Sequence, residues 1–422
     1  MLPAGGNSLA ERRTPGRTPD RTSDRTPSPT AQRLRAALLA ALLAVPAVAR
    51  ACPERPVDFP SLSFTLENDL FVNTDSNYTN GWKVSAASGE VGTRTSAECL
   101  PAFFRVQQEI GNRALDWLDT DPSKDPNNEV LGRNFLAKAG QAMYTPRDFT
   151  RSALIPNDRP YAGWLYFGLG YHVRSQPRPG PDGEPPAEQR LDSLEVNLGV
   201  IGPLSLAKQF QDIIHDMRGF ARFQGWSNQL RNEIGVQLVY ERKHKSRAAL
   251  PMLERDWPSC IPGGGGPAYC SPGMALEFIR YSGVSLGNIS TRAYAGGELR
   301  FGWNIPNDFG TFSIRPGGDN PSPVSVQETF ADSLKRPLGV HVFAGVQGAV
   351  SAREFSLDGN LFTDSHKVTR IPLVGEFNSG LAVQWGPVQL AFTRVTRSRE
   401  FTEQGRRHAF GQIFLGIPAV RW

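Results

Sequence analysis

Past residue 51 the sequence lacks any apolar run of the about 18 residues that a membrane-crossing helix requires, so no helical span is expected there. The spanning structure left open to such a chain is a closed β-barrel, because backbone polar groups in hydrocarbon must find partners within the protein. Apolar residues make up only 39% of the sequence and the mean hydropathy is −0.35. Neither value excludes a barrel, whose strands alternate apolar-out with polar-in, and a soluble β-protein would have a similar composition. Histidine is scarce, with 6 residues, and His172, His244, His341, His366 and His408 show no metal-ligand spacing. A charge imbalance is lacking too, once the charges are located. Residues 1–51 hold eight arginines and three acids, so the remaining 371 residues carry 38 groups of each sign and the formal +5 belongs to the N-terminal segment. No nucleic acid or other polyanion is therefore expected as a partner of the rest.

Residues 1–32 are rich in Arg, Pro, Thr and Ser and nearly devoid of large apolar side chains, so they cannot build a core. They read as a disordered extension or a start codon placed too early. Residues 33–51 read as a secretory signal: Arg33 and Arg35 precede an apolar run over 36–45 and small residues over 47–51, with cleavage near Ala51. A lipoprotein site at Cys52 is disfavoured, since Ala49-Arg50-Ala51 lacks the usual branched aliphatic residue. Residues 52–422 then form one exported domain. Its four cysteines can oxidise there, Cys260 with Cys270 around the loop IPGGGGPAY and Cys52 with Cys99, four free thiols being the alternative.

What the chain does contain is a series of long alternating segments. Over 61–69, Leu62, Phe64 and Leu66 oppose Ser63, Thr65, Glu67 and Asp69; over 78–85, Tyr78, Trp82 and Val84 oppose Thr79, Gly81, Lys83 and Ser85. Similar segments at 135–145, 160–174, 190–201, 232–247, 272–286, 289–304, 339–353, 369–385, 387–399 and 408–422 bring the expected total to about twelve strands, several long enough to cross a bilayer at a tilt. The expected fold is all-β: an antiparallel transmembrane barrel in the outer membrane, with interfacial aromatics at Trp164, Tyr166, Tyr171, Trp303 and Trp385 and a terminal aromatic, Trp422. Tight breaks at 286–289 and 385–387 contrast with long ones at 90–134, 175–189, 248–271 and 305–337, which suggests short periplasmic turns and long external loops. One stretch has helical spacing instead: 205–219 places Leu206, Phe210, Ile213, Ile214 and Met217 on one face and ends on Gly219, predicting a short amphipathic helix on the barrel's outer rim.

The segment ENDLFVNTDSNYTNG (67–81) is richest in possible chemistry, gathering Glu67, Asn68, Asp69, Asp75 and Asn77 with the hydroxyls of Thr74 and Thr79. Hard oxygens of mixed charge suit calcium, although the spacing is not that of an EF-hand and a solvated acidic turn fits equally well. Alternation points Glu67 and Asp69 inward. His215 lies on the predicted helix one turn after Gln211, where a lone histidine more often serves structure than catalysis. Arg159, in NDRPYAGW, is either a rim ion pair or a contact for a substrate phosphate. The G-x-S-x-G match at 283–287 sits between two strands rather than on a strand–turn–helix elbow, and reads as coincidence.

The motifs SFTLENDLFVNTDSNYTNGWKVS, QAMYTP, NDRPYAGWLYFGLG and IGPLSLAKQFQDIIH, followed by GWSNQL, together resemble the outer-membrane lipid A 3′-O-deacylase family over about 60–422. The resemblance implies a calcium-dependent, twelve-stranded barrel that hydrolyses 3′-O-linked acyl esters of lipid A. It implies catalytic roles for Asn68, Asp69, Thr79 and His215, with His215 as general base and calcium held near Asn68 and Asp69, Glu67 being a further ligand candidate. The sequence departs from the family in two places. A glutamate of the family site falls at Ala221 here, leaving Glu67 or Glu233 to supply a carboxylate. The family's paired basic residues have no clear equivalent, Arg151 being the nearest. The implied partner is lipopolysaccharide and the expected state a monomer. The competing readings are a calcium-dependent outer-membrane phospholipase, which would need a Ser–His pair, and a porin-like barrel whose polar residues line water.

Overall fold

Strands that alternate apolar and polar residues hide neither face alone, and here they satisfy both the pleat and their edge hydrogen bonds by closing on themselves. The computed structural model of the protein describes residues 57, 59, 61–72, 77–91, 100–179, 188–250, 260–261, 269–270, 273–310 and 338–418. The expected signal and extension, Cys52, Cys99, Thr74, Asp75 and Trp422 lie outside the described residues, as do the side chains of Thr79, Cys260 and Cys270.

In chain order the strands are β1 (Ser61–Asn68), β2 (Asn77–Ala87), β3 (Asn128–Thr145), β4 (Ala162–Pro177), β5 (Glu188–Ile201), β6 (Glu233–Ala249), β7 (Cys260–Ile261), β8 (Tyr269–Cys270), β9 (Met274–Gly287), β10 (Ser290–Trp303), β11 (Gly339–Glu354), β12 (Leu373–Trp385), β13 (Val388–Arg397) and β14 (His408–Pro418). β7 and β8 form a separate two-stranded hairpin in which Cys260 and Cys270 are register partners. The other twelve make a closed antiparallel barrel, sealed where β1 pairs with β14 from Ser61↔Pro418 to Asn68↔Gly411. The expected strand count and fold class are therefore met. Two helices longer than one turn are described, α1 (Ala102–Trp117) and α2 (Ala207–Arg218).

The outside of this barrel is apolar. Leu198, Leu238, Phe278, Leu286, Leu299, Val346, Phe377 and Leu390 are all exposed on their strands. A continuous exterior of this kind is stable against hydrocarbon rather than water. None of the described helices is long and apolar enough to cross a membrane, so the strands do the crossing.

The lumen is charged, and the charges are paired. Lys138 meets Glu195 at 2.6 Å, and Arg300 meets Asp308 at 2.6 Å and Glu277 at 3.2 Å. At one end Asp308 arrives on the segment that follows β10, together with Phe309, which is buried under the cationic heads of Arg174 and Lys245. At the other end Arg159, fully buried, reaches Glu400 at 2.6 Å and Ser356 at 3.2 Å. Arg159 is thus a rim ion pair closing the lumen, and the expectation that it contacts substrate phosphate is corrected: the side chain is fully buried, with Nη1 on Ser356 and Nη2 on Glu400.

Three further expectations change. Trp164 and Tyr166 do not form an interfacial girdle; they stack on each other at 4.3 Å and line a cavity of about 120 Å³ inside the barrel. The span 90–134 is not a bare loop, since it contains α1 and the first seven residues of β3. Loop length does not orient the barrel either: strand order puts the tight turns 288–289 and 386–387 at opposite ends, while the four long connections all leave from the end at which β1 begins and β14 finishes.

Replacing Glu400 by Ala strands the buried Arg159 guanidinium, which costs about 3 kcal/mol. The measurement is the temperature at which the compact band on a denaturing gel converts to the unfolded one; it is expected to fall, and an unchanged value would show the pair to be idle.

Candidate active site on the outer wall

The pleat decides what can meet at the end of β1. Leu66, Trp82 and Gln141 are register partners facing outward, with Trp82 Nε1 donating to Gln141 Oε1 at 3.1 Å. The next row, Glu67, Gly81 and Ala142, faces inward, and Glu67 lines the lumen cavity. One residue further on, Asn68, Asn80, Met143 and Gly163 return to the outer face. Glu67 and Asn68 therefore sit on opposite faces of β1, and the structure does not bring Glu67 to the same surroundings as Asn68.

A bulge shapes this row. The β2–β3 register shifts between Tyr78 and Asn80, so Thr79 is the extra residue and Tyr78 turns into the lumen, its ring 5.2 Å from that of Tyr144. The expectation that Tyr78 shares a face with Trp82 is corrected by that single insertion. Asn80, which sequence reasoning passed over, becomes the cross-strand partner of Asn68. Both are buried although they face outward, and the Asn80 Oδ1 has no hydrogen-bond partner. Asp69, wholly buried, begins a one-turn 3-10 helix over Asp69–Val72, whose Phe71 lies against Gly411, the β14 partner of Asn68.

The connection from β5 to β6 folds back over this wall and carries α2. Its entry turns at Gly202, with φ +83°, and Ser205 N donates to Gly202 O at 2.8 Å. The Gln141 amide donates to Ser205 O, tying the connection to β3. Gly163 in NDRPYAGW lets the chain come this close, because a Cβ there would overlap Ser205 Oγ and Ala207 Cβ. Ala207 is buried in a cluster with Met143, Tyr161, Phe223 and Trp226, and Phe210 stands 5.7 Å from the Trp82 ring. The predicted helix over 205–219 is thus present as Ala207–Arg218, and Gly219, at φ +68°, stops it as expected.

His215 is buried on α2, one turn beyond Gln211, whose Oε1 accepts from Trp226 Nε1 at 2.6 Å. The His215 Nδ1 lies 2.7 Å from the main-chain oxygen of Ala221. A carbonyl can only accept, so Nδ1 is the donor, and in the neutral ring the lone pair lies on Nε2. The return of the chain at 219–223 is held by Arg222, whose Nε donates to Asp216 at 2.7 Å and keeps that carboxyl below its usual range. The His215 ring packs 5.2 Å from Phe223, and Phe223 shares a cluster with Met143, the neighbour of Asn80. Asn68, Asn80 and His215 are linked through these shared neighbours at one end of the same sector of outer wall.

Asn68, Asp69 and Asn80 offer neutral amide oxygens and one carboxylate, a donor set that suits a hard cation such as calcium. Among the described residues no group of three or more His, Cys, Asp or Glu is placed to hold a metal, so any cation site on this wall draws on amide oxygens as well. Glu233 is not near: its carboxylate accepts from Leu361 N at 2.9 Å, Phe362 N at 3.1 Å and Asn288 at 2.8 Å. Arg151 is exposed on the 146–161 connection, at the same end of the barrel as α2. Ser285, the centre of GVSLG, lies within β9 and faces the lumen, without the elbow that a nucleophile needs. Exposed Ile213, Met217 and Phe220 give the surroundings of His215 an apolar outer surface.

A family model described as "Outer membrane protein LpxR" matches residues 36–418. Among solved structures, the chain is similar to LpxR from Salmonella typhimurium, with a TM-score of 0.54 and 16% identity over 85% of this chain and 99% of that one. It also matches the β domain of the Bordetella autotransporter BrkA, with a TM-score of 0.36 and 8% identity over 86% of this chain and 99% of that one. No match was found among curated proteins.

Because a Cβ at position 163 has nowhere to go, Gly163→Val is expected to lift the entry of α2 from β4 at a cost of about 1–3 kcal/mol. Amides of 203–226 should exchange faster with solvent while those of β9–β13 stay protected. Unchanged protection of α2 would mean the close approach is not what seats it.

Proposed function

The chain belongs to the LpxR family of outer-membrane proteins, and on that premise we propose that it hydrolyses 3′-O-linked acyl esters of lipid A at the outer wall beside α2. The observation that carries this reading is the Nδ1–Ala221 contact, which leaves the Nε2 lone pair of His215 available as a general base in an apolar, lipid-facing setting. A water between Nε2 and the ester gives up its proton to His215 as its oxygen bonds to the acyl carbon. The imidazolium then returns the proton to the departing sugar oxygen as the acyl C–O bond breaks. Asn68, Asp69 and Asn80 would hold calcium, with Thr79 alongside on the bulge. Calcium, when bound, supplies Lewis-acid stabilisation of negative charge on the carbonyl oxygen. Arg151 is the exposed cation for a lipid A phosphate.

The departure at residue 221 does not remove the support of the imidazole, since a main-chain oxygen needs no particular side chain. It does lower the charge of the cation site. With a single carboxylate, calcium is expected to half-saturate at about 10⁻⁴–10⁻³ M, the weak end of the range for such sites.

Mass spectrometry of lipid A from cells expressing the chain is the test. Loss of 3′ acyl groups is expected with calcium and not with a chelator. His215→Ala should abolish it, while the barrel keeps its compact band on a denaturing gel. Breakdown of phospholipid instead, or deacylation that survives His215→Ala, contradicts the reading. Asn80→Ala should raise the calcium needed for half-maximal activity by about tenfold, the effect of losing about 1.4 kcal/mol of binding; an unshifted calcium curve removes Asn80 from the site.

A further inference from the structure

α1 has three faces, and the third is unaccounted for by the barrel. Phe104, Gln107, Gly111 and Leu115 turn toward the wall, where Gln107 donates to Gly170 O at 2.8 Å and Asn112 accepts from Tyr171 at 2.7 Å. Gly111 is buried directly on the Tyr171 ring. A second face carries Arg105, Glu109, Arg113 and Asp116, all exposed, with Arg113 and Glu109 paired at 2.6 Å. Between them runs Phe103, Val106, Ile110 and Trp117, at helical spacing and exposed by 53%, 64% and 85% at Phe103, Ile110 and Trp117. Four large apolar side chains in one exposed stripe would be costly in water.

The position of the helix says what covers them. α1 lies in the β2–β3 connection, at the end of the barrel opposite α2, and both helices pack on the outer faces of β3 and β4. α1 rests on Phe135 and α2 on Met143, eight residues apart on β3. At about 3.3 Å per residue and a tilt of about 40° that separation is roughly 20 Å along the barrel axis, close to the about 25 Å of the apolar band of such barrels. The stripe on α1 is continuous with this lipid-facing exterior, to which exposed Phe167 and Leu198 of the neighbouring strands belong.

We infer that α1 is an interfacial helix: it lies along the barrel in the leaflet opposite the site of α2, with Phe103, Val106, Ile110 and Trp117 in the acyl region and its charged face among headgroups. The two helices then bracket the hydrocarbon slab on one sector of the wall. α1 fixes the height of the barrel, and so the depth at which His215 meets lipid. Three-faced amphipathic helices with an aromatic at the boundary have the composition such a position requires. The inference rests on the barrel crossing the outer membrane and not on the proposed reaction.

The test uses the folded full chain in phospholipid vesicles. The emission of Trp117 is isolated as the difference between the wild type and Trp117→Phe. It is expected to be quenched by phospholipid brominated near the headgroup end of the acyl chain and shielded from aqueous acrylamide. Quenching by acrylamide as strong as that of free N-acetyl-tryptophanamide, with no effect of bromolipid, would overturn the inference. So would shielding from both quenchers together with a cross-linked dimer, which would assign the stripe to a second copy. Because Trp117 is exposed, its replacement leaves the barrel contacts of α1 intact, and the reaction proposed for His215 can be measured separately in the same variant.

Discussion

The two-residue repeat of the pleated strand governs this molecule. In a closed barrel each side chain is sent either to lipid or to the lumen, and no edge remains at which the assignment can drift. The apolar exterior, the charged interior and the placement of the candidate site follow from that rule and from a local breach of it beside the site. The insertion at Thr79 turns Tyr78 inward beside Tyr144 while Asn80 stays on the outer row with Asn68. Asn68 and Asn80 are thus buried polar amides on a wall that is otherwise greasy.

The inside and outside of the barrel serve different ends. The lumen is crossed by Arg159–Glu400 at one end, between residues far apart in sequence, and at the other by the Arg300–Asp308–Glu277 group, which is drawn from β9, β10 and the segment that follows. The outer wall instead gathers small residues, Gly163 and Ala207, where a helix must come close, and aromatic residues, Trp82, Phe210, Phe223 and Trp226, where it must be held. The reaction proposed for His215 requires such a wall and such a helix, since a general base must be held to within a fraction of an ångström.

Much of the architecture was legible in the sequence because strand alternation is a local signal. All twelve barrel strands and the helix over 205–219 lie where the pattern predicts them, the main error being β3, which begins seven residues early at Asn128. What failed was non-local or depended on one residue. A bulge cannot be read from composition, so Tyr78 was put on the wrong face and Asn80 passed over. Arg159 looked like a phosphate ligand because its partner, Glu400, is far away in sequence. Trp164 and Tyr166 looked interfacial because position near a strand end does not say which face a side chain takes. α1 escaped notice because its apolar residues serve two faces and blur the helical period. At Ala221 the sequence signalled a loss, and the support found there is a backbone oxygen, which no side-chain reading can see.

The central claim is that one cation site and one imidazole share the same patch of outer wall. It is tested most directly by titrating the barrel, with its histidine side chains isotopically labelled, with manganese in place of calcium. The His215 resonance, identified by its loss in His215→Gln, is expected to broaden at the lowest manganese, well before those of His172 and His341 in the lumen. Uniform broadening of all three, or a His215 signal that stays sharp, would contradict a joint centre at Asn68, Asp69, Asn80 and His215.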